Sequence, residues 1–366
     1  MAADDASFVA IDNPDLIEIG QKLWIPAVAS GETAEAVSLP AATEAALSSA
    51  DAGAPGGHIA FSFNSPDRCT YETNIISVSD CLQSSAQCQA SRRIYPFNNV
   101  SEAALSPDGE RLAFRGWGEA RSADSPYAGC APAHPYRNLG NATLDGTNFV
   151  STGSFWEDSH PDWSPDGGRI IFDTKRANDS TARIRAIGVD GNNEENMLIA
   201  GEHPSWAMDS YTFVYRGCDL TGNRCGLWKG AAYDPLSWNR GQNMLGPIVE
   251  YDKVAHPDWS PTRDEIVYQR LVEDNWDLWA VNADGSNDHS LLSTANPEGL
   301  PSWSPDGNWV AYLSHDGQNW TLRIVSRDGS DDRLLYTYDG GLYTVPQPVE
   351  PYGQRDWIDE QISWGK

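Results

Sequence analysis

Three histidines stand at matching places in the chain, and they are the residues whose spacing most suggests chemistry. His160, His203 and His256 open His160-Pro161-Asp162-Trp163, His203-Pro204-Ser205-Trp206 and His256-Pro257-Asp258-Trp259. Imidazole is the commonest side-chain ligand of transition metals, and three converging imidazoles could hold a divalent ion such as Zn or Mn. The acidic runs Asp284–Asp288 (DGSND) and Asp328–Asp332 (DGSDD) could hold Ca loosely, although such runs are more often solvated hairpin tips. Other catalytic signatures are absent from the sequence: it has no GxSxG elbow, no HExxH and no phosphate-binding P-loop. No cofactor other than a divalent metal is implied.

The histidines must be positioned by the elements around them. The stretch 160–174, HPDWSPDGGRIIFDT, reads as strand, tight turn, strand. Pro165 suits the second position of a turn, Asp166 can bond nearby backbone N–H groups, and Gly167 accepts positive φ. Ile170, Ile171 and Phe172 are β-branched or aromatic, as a buried strand requires. The same unit recurs at Ser106-Pro107-Asp108-Gly109, at a degraded AMDS turn beginning at Ala207, at Ser260-Pro261, and at Ser304-Pro305-Asp306-Gly307. A second signal follows most hairpins: Asp190-Gly191, Asp284-Gly285 and Asp328-Gly329, with a weaker copy at Asp145-Gly146. Asp-Gly between apolar runs predicts a type I′ hairpin, whose two central residues both need φ > 0. Repeats of this length, with several strands each, mark propeller blades.

This pattern, xPxWSPDGxxIaF followed by an apolar strand and DG, resembles the TolB-like, WD-type β-propeller repeat, with copies over residues 101 to about 335. The fold expected is all-β: a six-bladed propeller of four-stranded antiparallel blades over residues 57–366. The second strands are expected at 58–63, 111–115, 169–173, 211–215, 265–269 and 309–313. Blade one, beginning at His58–Phe63, lacks its own innermost strand. Gln361-Ile362-Ser363-Trp364 resembles Leu300-Pro301-Ser302-Trp303, so the C-terminal strand is expected to pair into blade one and close the ring.

In such a propeller the three histidines lie near one mouth of the central channel. In oligogalacturonate lyases, which have similar repeats, a histidine-bound metal supports cleavage of pectin fragments. The resemblance therefore carries a metal-dependent polysaccharide lyase as the alternative function. Against it, no Arg or Lys is placed by the repeat to bind uronate carboxylates, and a net charge of −27 opposes an acidic substrate. The favoured reading is structural, with each His bonding the neighbouring blade's backbone, because a repeated residue usually does a repeated job. Asp108, Gly109, Asp166, Gly167, Asp306 and Gly307 are likewise read as turn-forming residues. Trp163, Trp206, Trp259, Trp303 and Trp364 occupy one repeat position and read as core, whereas Trp117, Trp156, Trp238 and Trp320 fall in loops and are freer to make surface contacts.

The six cysteines suggest an oxidising compartment. Cys218 and Cys225 flank a short polar loop and could staple a hairpin. The remaining four allow three pairings. Strand order in a propeller places Cys69 and Cys130 on one face, and Cys81 and Cys88 together on the other, giving Cys69–Cys130 and Cys81–Cys88.

The 52 acidic against 25 basic residues argue against nucleic acid and against anionic membrane surfaces. No apolar run is long enough for a membrane span. Residues 13–26, NPDLIEIGQKLWIP, resemble the second half of a LysM module. Residues 1–28 are therefore read as a partial LysM-like segment, and 29–56 as an Ala/Ser/Glu/Gly-rich linker. The N-terminus has no leader pattern, so the expectation is an exported protein whose chain begins after a leader was removed. The function expected is a non-catalytic binding or scaffold propeller, secreted, periplasmic or at the cell surface. Its partner would be an envelope or extracellular protein or a glycan, contacted by loops 116–136 and 229–247.

Overall fold

The computed structural model describes residues 54–366 apart from 66–69, 98, 118–137, 153–157, 177–180, 233–243 and 339–356. The LysM-like segment, most of the linker, Cys69, Cys130, Trp156 and Trp238 lie outside the described residues. So does most of the two loops expected to contact a partner.

The turns form as their residues dictate. The Ser106 hydroxyl donates to the Asp108 carboxylate (2.6 Å), which also accepts the Glu110 N–H (3.0 Å), and Gly109 takes φ 74°. Ser164–Asp166 and Ser304–Asp306 repeat the Ser-to-Asp bond at 2.6 Å. These bonds hold the Asp108 and Asp166 carboxyls below their ordinary range, the serine bond contributing most. The Asp-Gly turns differ from expectation. Gly191, Gly285 and Gly329 have positive φ, but Asp190, Asp284 and Asp328 do not. They are not type I′ turns. Gly191 N–H bonds Gly188 O and Gly188 N–H bonds Asn192 O, a type I turn followed by a glycine bulge, so only the glycine needs the left-handed conformation.

The strands assemble into antiparallel sheets around a channel. Four sheets are four-stranded. Their innermost strands are Ser363–Gly365, Val100–Leu105, Val254–Trp259 and Glu298–Trp303. The fifth sheet is seven-stranded and runs from Asp158–Trp163 to Met244–Val249 without a break. The expected count of six four-stranded blades is therefore wrong: four blades stand as separate sheets. The cause is Glu195–Trp206, one 12-residue strand. Its first half pairs with Arg183–Gly188 and its second with Thr212–Cys218. No proline or turn cluster interrupts ENMLIAGE, so the outgoing strand continues directly into an innermost one.

The C-terminal strand supplies the innermost strand beside His58–Ser65, in the register Ile59 with Trp364 and Ala60 with Ser363. Trp364 is buried, its indole N–H donates to Gly56 O (2.8 Å), and it shares a cluster with Ile59 and Phe61 of its own sheet and Trp309 and Leu322 of the last sheet. Similar apolar clusters fill the spaces between other neighbouring sheets. Each such large side chain contributes about 1.5–3 kcal/mol on burial. Trp117 and Trp320 are also buried, at 7% and 9% exposure, and not free surface contacts. Trp117 packs against Tyr71 and Arg115, and Trp320 against Trp357.

Cys218 is bridged to Cys225 across one hairpin. Cys81 is bridged to Cys88, joining helices α1 (Val78–Gln83) and α2 (Ser85–Ser91), and Cys88 packs on Leu335 of the last sheet.

One repeat position shows how polar groups are satisfied in these sheets. Tyr268 donates to Asp288 (2.5 Å), just ahead of the outer strand His289–Leu292, and Tyr312 to Asp332 (2.7 Å), which opens the outer strand Asp332–Thr337. Tyr215 holds the same strand position, is fully buried, and has no hydroxyl partner among the described residues. Removing an unsatisfied hydroxyl is near neutral or stabilising, whereas breaking a made bond costs about 1–2 kcal/mol. In urea denaturation Tyr215→Phe should leave the midpoint unchanged or raise it, and Tyr312→Phe should lower it.

Candidate functional site

The channel has two differently built ends. At the first, five innermost strands carry a bulge at one repeat position, seen as a register shift after Ser101, Ser159, Glu202, Ala255 and Gly299. The bulged residues Glu102, His160, His203, His256 and Leu300 all have φ between 46° and 53°. Four of them precede proline, which bars the right-handed helical region. The bulge turns each N–H toward a side-chain acceptor. His160 N–H donates to Glu102 (2.8 Å), His203 N–H to Asp173 (2.9 Å), and His256 N–H to the His203 Nδ1 (3.3 Å). Leu300 N–H donates to Gln269 (2.8 Å) and Glu102 N–H to Glu360 (3.4 Å).

The structure thus brings the three histidines together, and the backbone explains why they share a place. Glu102 and Leu300 fill the same bulge. The His203 and His256 rings stack at 3.9 Å and 19°, and His160 meets His203 edge-on at 4.1 Å. Stacked rings face each other rather than aiming lone pairs at a common point. His160 Nδ1 pairs with Asp173 (2.7 Å). His203 Nδ1 is held by the His256 N–H, and burial, followed by the neighbouring histidines, keeps His203 neutral well below its ordinary pKa. Among the described residues no group of three or more His, Cys, Asp or Glu is arranged to hold a metal.

At the other end, the residue before each repeat tryptophan bonds the backbone of the next innermost strand. Asp162 accepts the Trp206 N–H (2.7 Å), Ser205 the Trp259 N–H (3.0 Å), and Asp258 the Trp303 N–H (2.6 Å). Ser302 accepts the Trp364 N–H (3.0 Å) and Ser363 the Leu105 N–H (2.9 Å). This belt ties innermost strand to innermost strand along the channel, and Ser302 and Ser363 carry it through the C-terminal strand. Beyond it the channel opens into a cavity of about 290 Å³. The walls include Trp163, Trp206, Trp259, Trp303 and Trp364, and the rim includes Pro165, Pro261 and Met208. Inward of the belt the channel narrows to about 50 Å³ beside His203 and His256.

Asp162 and Asp258 line both spaces. Both carboxyls are pushed up to about 7, Asp162 by burial and then by the charge of Asp258, and Asp258 by burial. Sequence reasoning passed over them. The available signal was the alternation at this repeat position of Ala104, Asp162, Ser205, Asp258, Ser302 and Ser363.

No family model matches the chain, and no curated protein sequence does. Solved structures do. TolB from Acinetobacter baumannii is 17% identical at a TM-score of 0.60, over 85% of this chain and 67% of that one. Putative TolB from Agrobacterium tumefaciens is 17% identical at 0.54, over 80% and 92%. The tricorn protease is 15% identical at 0.52, over 79% of this chain but 27% of that one. What this chain shares with all three is the β-propeller fold.

Proposed function

We propose that this chain is a non-catalytic binding propeller of the cell envelope or extracellular space, and that it takes a protein partner at the tryptophan-walled mouth of its channel. The observation that carries this is the mouth itself: a concave cavity of about 290 Å³ to which all the repeat tryptophans and most of the repeat turns contribute. Concave sites with aromatic walls and a few polar groups are where proteins take up ligand groups, and here such a group would be a side chain of the partner. The likeness to TolB propellers supports a binding role by analogy of fold. Two disulfides suit an oxidising compartment, and no described helix is long and apolar enough to cross a membrane.

The test is capture from the native envelope with the propeller as bait and two surface changes. Met208 is exposed on the rim, and Leu220 is exposed at the tip of the Cys218–Cys225 hairpin, away from the cavity lining. A captured protein should be lost with Met208→Glu and retained with Leu220→Glu. The reverse pattern would move the site off this mouth.

A further inference from the structure

The belt around the channel contains its own control. Five side chains accept a backbone N–H from the next innermost strand, and three of them are serines. Ser205, Ser302 and Ser363 do so at 2.9–3.0 Å, so a neutral hydroxyl is sufficient for that structural role. Asp162 and Asp258 do the same job with a carboxylate, at the cost of placing two like charges, each half-buried, along one channel. Charges so placed are normally paired. Among the described residues neither forms an ion pair with Lys, Arg or His. The hydrogen bonds they accept come from serine hydroxyls and backbone N–H groups. Lys366 lies along the wider cavity, and His203 and His256 along the narrower one. The walls above the pair are tryptophan and proline, surfaces that suit an aliphatic stem or the face of a guanidinium group.

Resting on the docking reading above, we infer that the partner enters this mouth with a basic segment, and that the ammonium or guanidinium group of one of its Lys or Arg side chains is held by Asp162 and Asp258. The charge complementarity is local as well as global, since the chain carries −27 overall. Long-range attraction would speed encounter, and the pair would fix the register of the inserted side chain.

The probe is n-butylguanidinium, compared with its neutral isostere n-butylurea and with calcium chloride, titrated at pH 8 against the full chain and followed by amide chemical shifts. Butylguanidinium should shift the Asp162, Ser205 and Asp258 amides saturably. Butylurea should bind at least tenfold more weakly, and the Asp162→Asn/Asp258→Asn variant should weaken guanidinium binding at least tenfold. Asparagine keeps the carbonyl acceptor, so the belt survives. Equal binding of the urea, or undiminished binding by the double variant, overturns the inference. So does calcium saturating the pair where butylguanidinium does not, since the pair would then be a metal site. A partner captured by the double variant as tightly as by the parent, but lost with Met208→Glu, would remove this inference and leave the docking reading standing.

Discussion

Trp364→Ala should destabilise the propeller by about 3–5 kcal/mol, the usual range for removing a buried tryptophan. The effect is not a cavity alone. Trp364 sits opposite Ile59, packs among side chains from the first and last sheets, and donates its indole N–H to Gly56 O. Its backbone N–H is the one that Ser302 accepts. Losing the indole therefore loosens the only strand that joins the two ends of the described ring. Chemical denaturation should show a lower midpoint with a reduced slope, because an opened ring buries less surface in its remaining folded state. Trp364→Phe keeps most of the packing and loses the indole bond, so it should cost roughly 1–2 kcal/mol. If the two variants cost the same small amount, the tail does not carry the closure.

The second large effect is a pH dependence of stability. Asp162 and Asp258 have folded-state pKa values raised to about 7. The folded chain then holds these protons more tightly than the unfolded chain, whose aspartates titrate near 4. Their contribution to stability is fully present below about pH 4 and is lost as the pH rises through 7. The ideal loss of about 4 kcal/mol per carboxyl is an upper bound, because both side chains are half-buried and channel water screens them, so the measured loss should be a fraction of it. Asp162→Asn/Asp258→Asn should match the parent at pH 4 and exceed it in stability at pH 8. Denaturation midpoints at the two values measure this directly. A double variant that is less stable at pH 8 would mean that the charges are compensated in the folded protein.

Much of the architecture was legible because it is local. Ser106-Pro107-Asp108-Gly109 and its copies specify their turns through bonds between residues two apart, and those bonds form. The tail was legible because Ser363-Trp364 repeats Ser302-Trp303, and the two stand at adjacent places in the belt. The seven-stranded sheet was not legible. The absence of proline or a turn cluster from ENMLIAGE permits one continuous strand without requiring it, and only the pairing of its two halves with different strands shows that it runs on. The Asp-Gly turns were misassigned for a related reason: a glycine bulge and a type I′ turn use the same dipeptide, and only the backbone distinguishes them. The histidines drew attention as ligands, yet their shared place follows from a bulge that Glu102 and Leu300 adopt equally. The aspartates were quieter in the sequence. Their position becomes meaningful only when sheets distant in the chain face one channel, where a carboxylate among serines is conspicuous.

The belt and the mouth are complete only with the C-terminal strand as the innermost strand beside His58–Ser65. Hydrogen exchange of the intact chain, read at residues 361–366, tests this most directly. The tail should exchange as slowly as residues 58–65, in a single cooperative opening with them. Exchange of the tail at the rate of an open loop, while 58–65 stays protected, would contradict the account.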